Sequence, residues 1–191
     1  TSFKGAVDDL WRNADYALTA QNNFSPIPID AAEAAVKAPG VVAVMNVRTG
    51  EVRAFDETIF ATAVDPTARE LIALKWKDGS QDVLANLGDD GAFVDDGYAD
   101  DNDLEVGSPI QVTFPSGQTE TFVVRGIFDP PTGGSPFGNV TISTQAWDAH
   151  VENPRNLYSF IAMEGDVSDA NTAALDKALA PFPNAKAQTR Q

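Results

Sequence analysis

Residues 109–128 constrain the fold more than any other stretch. Ile110, Val112 and Phe114 alternate with Gln111 and Thr113, the period of a strand with one buried face. Pro115-Ser116-Gly117-Gln118 follows. That is turn chemistry, because proline presets φ and glycine accepts positive φ. A second run then sets Phe122, Val124 and Gly126 on one face. Two such runs joined by a short Pro/Gly loop read as a β-hairpin. An isolated hairpin is marginal in water, so the apolar face needs more strands or a helix to cover it. Just upstream, Phe93-Val94 is a short β-prone run, residues 97–102 suit one or two helical turns, and Gly107-Ser108 is a turn signal.

The two ends of the chain repeat one pattern. In the first third a strand over residues 15–20 precedes a helix over residues 31–38. Asp30 is its expected N-cap, with Glu33 completing a capping box. Pro39-Gly40 stops the helix, and residues 41–47 form an apolar strand. In the last third the strand is residues 157–163 and the helix begins at a Ser168 cap. Its expected inner face is Ala174, Leu175, Ala178 and Leu179, and a strand over residues 185–189 follows. Two strand–helix–strand units side by side make a small sandwich with both helices on one sheet face. Thr49-Gly50 reads as a turn, with residues 51–55 returning and residues 56–64 forming a further β run. Residues 1–12 have helical spacing of Phe3, Val7, Leu10 and Trp11. The expected class is α+β: residues 1–55 and 155–191 form one α/β unit, and a β-rich part, residues 56–154, is inserted between its halves.

The order of pieces from Phe93 onward resembles the extracytoplasmic core domain of MacB-like and FtsX-like ABC transporter permeases. The residues that carry the resemblance are Phe93-Val94, Ala99, Leu104, Val106-Gly107-Ser108, Ile110, Val112, Gly117, Phe122, Val124 and Gly126-Ile127. The family often has Asp where this chain has Ser108. The resemblance implies a discontinuous porter-like subdomain with an inserted β-rich subdomain, the whole of residues 1–191 forming one extracytoplasmic module. It also implies a non-catalytic role that couples ATP-driven motion to the handling of a substrate or partner, with no cofactor of its own. The implied partners are the permease's transmembrane helices and a cytoplasmic ABC ATPase, with a second permease copy or an extracytoplasmic protein as further candidates. The implied place is the outer face of the cell membrane, with an apolar stretch of about 20 residues before Thr1 and three more after Gln191 in the full protein.

Composition limits the alternatives. Acidic residues outnumber basic ones 28 to 13, a formal charge of -15. Nucleic acid binding needs clustered Lys and Arg, which this balance opposes. There is no cysteine, which removes disulfides, thiol catalysis and cysteine-held metals. No run of about 18 apolar residues occurs. His150 is the one histidine and lies beside Trp147, where packing or capping accounts for it more simply than base chemistry. Ser135, in Gly133-Gly134-Ser135-Pro136, lacks the strand-to-helix setting of a nucleophile elbow. Asp95, Asp96, Asp100, Asp101, Asp103 and Glu105 form an acidic run. It lacks the turning glycine and closing glutamate of a calcium loop, so a solvated acidic surface is the simpler reading. Two other readings stay open at this point: a secreted binding module, calcium-dependent or not, and a secreted hydrolase.

Phe24 and Phe137 are the candidate contact residues. Each sits among Pro and Gly, in residues 22–28 and 130–137, outside any periodic core pattern. An aromatic on a stiff loop can anchor a partner or an acyl chain. Alternatively, each ring folds back to plug its own loop.

Overall fold

The computed structural model describes residues 12–22, 25–132 and 134–189. The helix expected over residues 1–12 therefore falls outside the described residues, apart from Arg12. In chain order the elements are β1 (Tyr16–Ala20), β2 (Ile27–Pro28), α1 (Ile29–Val36), β3 (Val41–Ala54), β4 (Glu57–Val64), α2 (Ala68–Leu71) and β5 (Lys75–Asp78). After a 3-10 turn (Gln81–Ala85) come β6 (Gly91–Asp95), α3 (Asp96–Asp101), β7 (Pro109–Thr113), β8 (Thr119–Asp129) and β9 (Val140–Ser143). The chain closes with α4 (Thr144–His150), β10 (Arg155–Met163), α5 (Asp169–Leu179) and β11 (Ala185–Thr189).

The two strand–helix–strand units interlock instead of lying side by side. The strand order is β11-β1-β10-β3, and every neighbour is antiparallel. Each unit thus leaves a gap that a strand of the other fills, the arrangement of split β-α-β folds. α1 and α5 share one core with these strands, built on Tyr16, Leu18, Ile27, Ile161, Leu175 and Leu179. Ser168 caps α5 as expected, its Oγ accepting from Asn171 N at 3.1 Å. The Asp30 capping box does not form. β2 runs straight into α1, Pro28 takes the N-cap position, and Asp30 falls inside the first turn. There its charge faces the positive end of the helix dipole.

The middle of the chain closes on itself. β3 pairs β4, β4 pairs β9 in parallel, β9 pairs β6, β6 pairs β8 in parallel, and β8 pairs β7. β7 then returns to β3 through the single pair Arg53–Thr113. The interior of this six-stranded ring is filled from all sides, among others by Val52, Ile59, Ile110, Phe122, Val124 and Ile142. A bulge at Arg125, where Ala92 pairs Val124 and Phe93 pairs Gly126, shifts the parity of β8. Phe122 and Val124 point inward, Ile127 points inward again, and Phe128 turns to a second core outside the ring. That core is shared, since Met45, Val47, Tyr158 and Phe160 of the interlocked sheet meet Phe93, Phe128 and Phe137 in it.

The expected turn at Thr49-Gly50 is absent. β3 runs unbroken from Val41 to Ala54, and the reversal comes at Phe55-Asp56. Gly50 serves close approach: a Cβ there would lie 2.9 Å from Trp147 Cζ2. The ring of α4 packs flat against bare backbone at that point. Gly50→Ala should cost about 1–3 kcal/mol through this clash. Denaturant unfolding of wild type and variant measures it, and an unchanged midpoint would contradict the packing.

Candidate functional site

The expected contact residues behave differently from one another. Phe24 lies outside the described residues. Phe137 is fully buried. Its ring sits 5.9 Å from Phe93 and 6.2 Å from Phe128, both edge-on. The loop is pinned around it: Phe137 O accepts from Thr62 Oγ1 at 2.6 Å, and Pro136 O accepts from Tyr158 OH at 2.9 Å. The expectation of an exposed Phe137 is therefore corrected. Folding an apolar ring back into a core gains more than leaving it on a loop in water, and here the loop is held by two buried hydroxyls as well. What the loop leaves at the surface is an open groove of about 410 Å³, lined by Leu74, Lys75 and Pro130 to Thr132.

A buried polar joint ties the interlocked sheet to the ring. Arg48 on β3 donates two bonds to Asp148 on α4, from Nε at 3.2 Å and Nη2 at 3.1 Å. Its Nη1 donates to Asn156 Oδ1 on β10 at 2.6 Å. Asn156 sits at a bulge in the β10–β3 ladder, which turns its amide inward. That amide donates to Asn46 Oδ1 at 3.0 Å and to Ser159 Oγ at 3.1 Å. Asn46 in turn donates to Asp65 from its backbone and side chain, at 2.7 and 2.8 Å, and Thr144 Oγ1 donates to the other oxygen of Asp65. β3, β10, α4 and the end of β4 thus meet in one satisfied network.

The start of β1 and the end of β11 share one pole. The first residue of β1 pairs the last of β11, Tyr16 with Thr189, and Tyr16 also pairs Ile161 near the end of β10. Met163 pairs Val41 at the start of β3. From that pole β3 runs 14 residues, a rise of up to about 45 Å. At its far end stands the two-residue turn Phe55-Asp56. Both residues have positive φ, 51° and 62°. Phe55 is 45% exposed, with its ring centroid 6.4 Å from that of Tyr98. Between this turn and β7 lies an open groove of about 470 Å³. Sequence reasoning missed Phe55, because Phe-Asp carries none of the Asn-Gly signature of such turns.

The remaining candidates have structural roles. His150 stacks on Phe114 at 4.8 Å, and its Nδ1 meets Gln118 Oε1 at 2.9 Å. Asp95, first of the acidic run, caps α3 by accepting from Tyr98 N at 2.8 Å, and burial pushes its carboxyl above the usual range. Ser135 Oγ accepts from Phe137 N at 3.2 Å within its own loop. Among the described residues no group of three or more Asp, Glu or His is placed to hold a metal ion. No described helix is long and apolar enough to cross a membrane.

The fold and its two-part build define the class: a model of the MacB-like periplasmic core domain matches residues 2–180. The chain belongs to that family and is a periplasmic domain of the MacB-like ABC transporter permease class. Three solved structures share the fold. The periplasmic region of MacB from Actinobacillus actinomycetemcomitans aligns at 12% identity and a TM-score of 0.58, covering 100% of this chain and 94% of that one. The extracellular domain of the noncanonic ABC-type transporter YknZ from Gram-positive bacteria aligns at 11% identity and a TM-score of 0.56, covering 92% and 99%. A domain of a putative permease protein from Porphyromonas gingivalis aligns at 14% identity and a TM-score of 0.55, covering 95% and 87%. Comparison with curated protein sequences gives no match.

Two stability measurements check the site geometry. Phe137→Ala should cost about 3–5 kcal/mol, as a buried aromatic truncation does, and a melting temperature that barely moves would mean that the loop is open. Arg48→Met should cost about 1–3 kcal/mol, because it strips partners from Asn156 and Asp148. The Asp148 side chain is 41% exposed and an amide oxygen there can still accept from Arg48, so Asp148→Asn should cost less than Arg48→Met. Equal losses in the two variants would put the energy of the joint in the ion pair alone.

Proposed function

We propose that this domain performs mechanical work and no chemistry: it passes ATP-driven motion of a permease outward to a substrate or partner. The observation that carries the reading is the common pole of the start of β1 and the end of β11. Transmembrane helices joined to both ends would push on β1 and β11, which pair with each other at one edge of the interlocked sheet. β10 and β3 then lead directly into the ring. In this reading residues 1–55 with 155–191 form the porter-like part, residues 56–154 form the inserted part, and all of them move as one module.

The proposed partners follow from that arrangement. They are the permease's own transmembrane helices, a cytoplasmic ABC ATPase, and either a second permease copy or an extracytoplasmic protein. The module stands on the outer face of the membrane, anchored by helices beyond this chain. The satisfied polar joint supports a structural role for the groups that could otherwise have served as acid, base or nucleophile. Asp65, Asp148 and Ser159 are all bonded within it.

This chain contributes no cysteine of its own, so a single introduced cysteine gives one label per module in a transporter whose other parts have been cleared of cysteine. A Glu57→Cys spin label in the reconstituted two-copy transporter reports the distance between the two modules. That distance should shift by several ångströms between the nucleotide-free and the ATP-trapped state. An identical distance distribution in both states would overturn the coupling.

A further inference from the structure

We propose that the Phe55 tip of the β3–β4 hairpin is a docking knob for an extracytoplasmic partner protein, one whose contact face is an apolar socket rimmed by lysine or arginine. The first observation is conformational. Among the described residues five non-glycine residues have positive φ: Phe55, Asp56, Asp103, Asn153 and Asp166. Four are Asp or Asn, whose short side chains bond locally and tolerate that region. Phe55 has no such compensation. A type I′ turn is best served by Asn-Gly, so the backbone of the turn does not call for a phenylalanine, and the ring's one aromatic neighbour is Tyr98 at 6.4 Å.

The second observation is that the tip is supported but not covered. Arg53 turns its guanidinium back onto the turn, donating to Asp56 O at 3.1 Å and to Thr58 Oγ1 at 3.3 Å. That brace holds the strained turn and leaves the Phe55 ring 45% exposed. The groove beside it, lined by Pro109 and Gln111 among others, leaves room for the rim of a partner.

The third observation is charge. Asp56 and Glu57 flank the ring and are exposed, while the nearby cation, Arg53, is spent on the turn itself. An apolar knob in an acidic collar on a chain of formal charge -15 selects a basic rim and repels a second copy of itself. The fourth is position. The tip lies at the pole opposite the start of β1 and the end of β11, so a protein in the surrounding space meets it and the membrane does not. On this last point the inference rests on the proposed orientation, and the experiment reads the orientation separately.

The test places the photocrosslinking residue p-benzoylphenylalanine at position 55 of the intact permease in its native membrane. A second version carries it at position 42, since Val42 is 66% exposed at the pole of the start of β1 and the end of β11. At position 55 the expected product is one discrete protein adduct, identified by mass spectrometry and abolished by the double charge reversal Asp56→Lys, Glu57→Lys. The captured protein is then purified and titrated onto the intact permease in nanodiscs. Phe55→Gly should weaken its binding by about tenfold or more, as loss of a central aromatic anchor does, while the melting temperature stays level or rises because the turn strain is relieved. Phe55→Trp should retain binding. A lipid adduct, an adduct to the permease itself, no adduct, or an adduct that survives the charge reversal would each overturn the proposal. So would a Phe55→Gly variant that melts early and binds normally, which would make the ring a cover for Tyr98. At position 42, lipid or permease adducts support the orientation. A soluble protein captured there would overturn the orientation alone, and the position-55 adduct with its charge dependence decides the docking.

Discussion

A guanidinium buried between two halves of a sheet has to be answered on every side, and Arg48 is. Its side chain is only 10% exposed. An unpaired charge at such a depth is expensive, and one carboxylate seldom repays the loss of water without further hydrogen bonds. Here the bidentate contact with Asp148 is completed by Asn156, and the network continues to Asp65 through Asn46. α4 is consequently clamped to β3 at two adjacent residues. Trp147 lies over Gly50, and Asp148 holds Arg48. Neither contact could form if β3 bent at Thr49-Gly50, because residues 48 and 50 would no longer share a face. The straightness of β3, the docking of α4 against it and the bulge at Asn156 are three aspects of one arrangement.

The elements that the sequence revealed are those set by local periodicity. The β7–β8 hairpin, the Ser168-capped helix and the short helix after Val94 were legible because alternation, caps and Pro/Gly turns act within a few residues. The misreadings have tertiary causes. Gly50 looked like a turn glycine, and its reason for being glycine is Trp147, nearly a hundred residues later. Asp30 looked like a cap, but β2, whose two residues pair Arg155 and Asn156 at the start of β10, brings the helix start two residues forward. Phe137 could be read as exposed or as folded back, because its partners Phe93, Phe128 and Tyr158 come from three different elements. Phe55 went unseen for the opposite reason. Its turn violates the residue preference by which such turns are recognised, and a violated preference leaves no local pattern to read.

The interlocked strand order matters for how force would travel. In β11-β1-β10-β3, β1 is bonded to β11 on one side and to β10 on the other, and β10 is bonded along most of its length to β3. A side-by-side arrangement would have left one seam between two units where they could slide. Interlocking replaces that seam with antiparallel ladders, each of which must break several backbone bonds to shear.

The shared core excludes free hinging as well. Met45, Tyr158 and Phe160 from the sheet pack with Phe93, Phe128 and Phe137 from the ring and its loop. Rotating one part against the other would open voids among interlocked aromatic rings, and cores of this density do not deform continuously. Motion delivered at the chain ends would therefore move the module as a body. A β3 of up to about 45 Å turns a tilt of about 10° at the terminal pole into roughly 8 Å at the hairpin tip. In the proposed coupling, a small angle supplied by a membrane helix would become a displacement on the scale of a protein contact, and the residue at the end of that lever would be Phe55, whose backbone takes a conformation that phenylalanine disfavours.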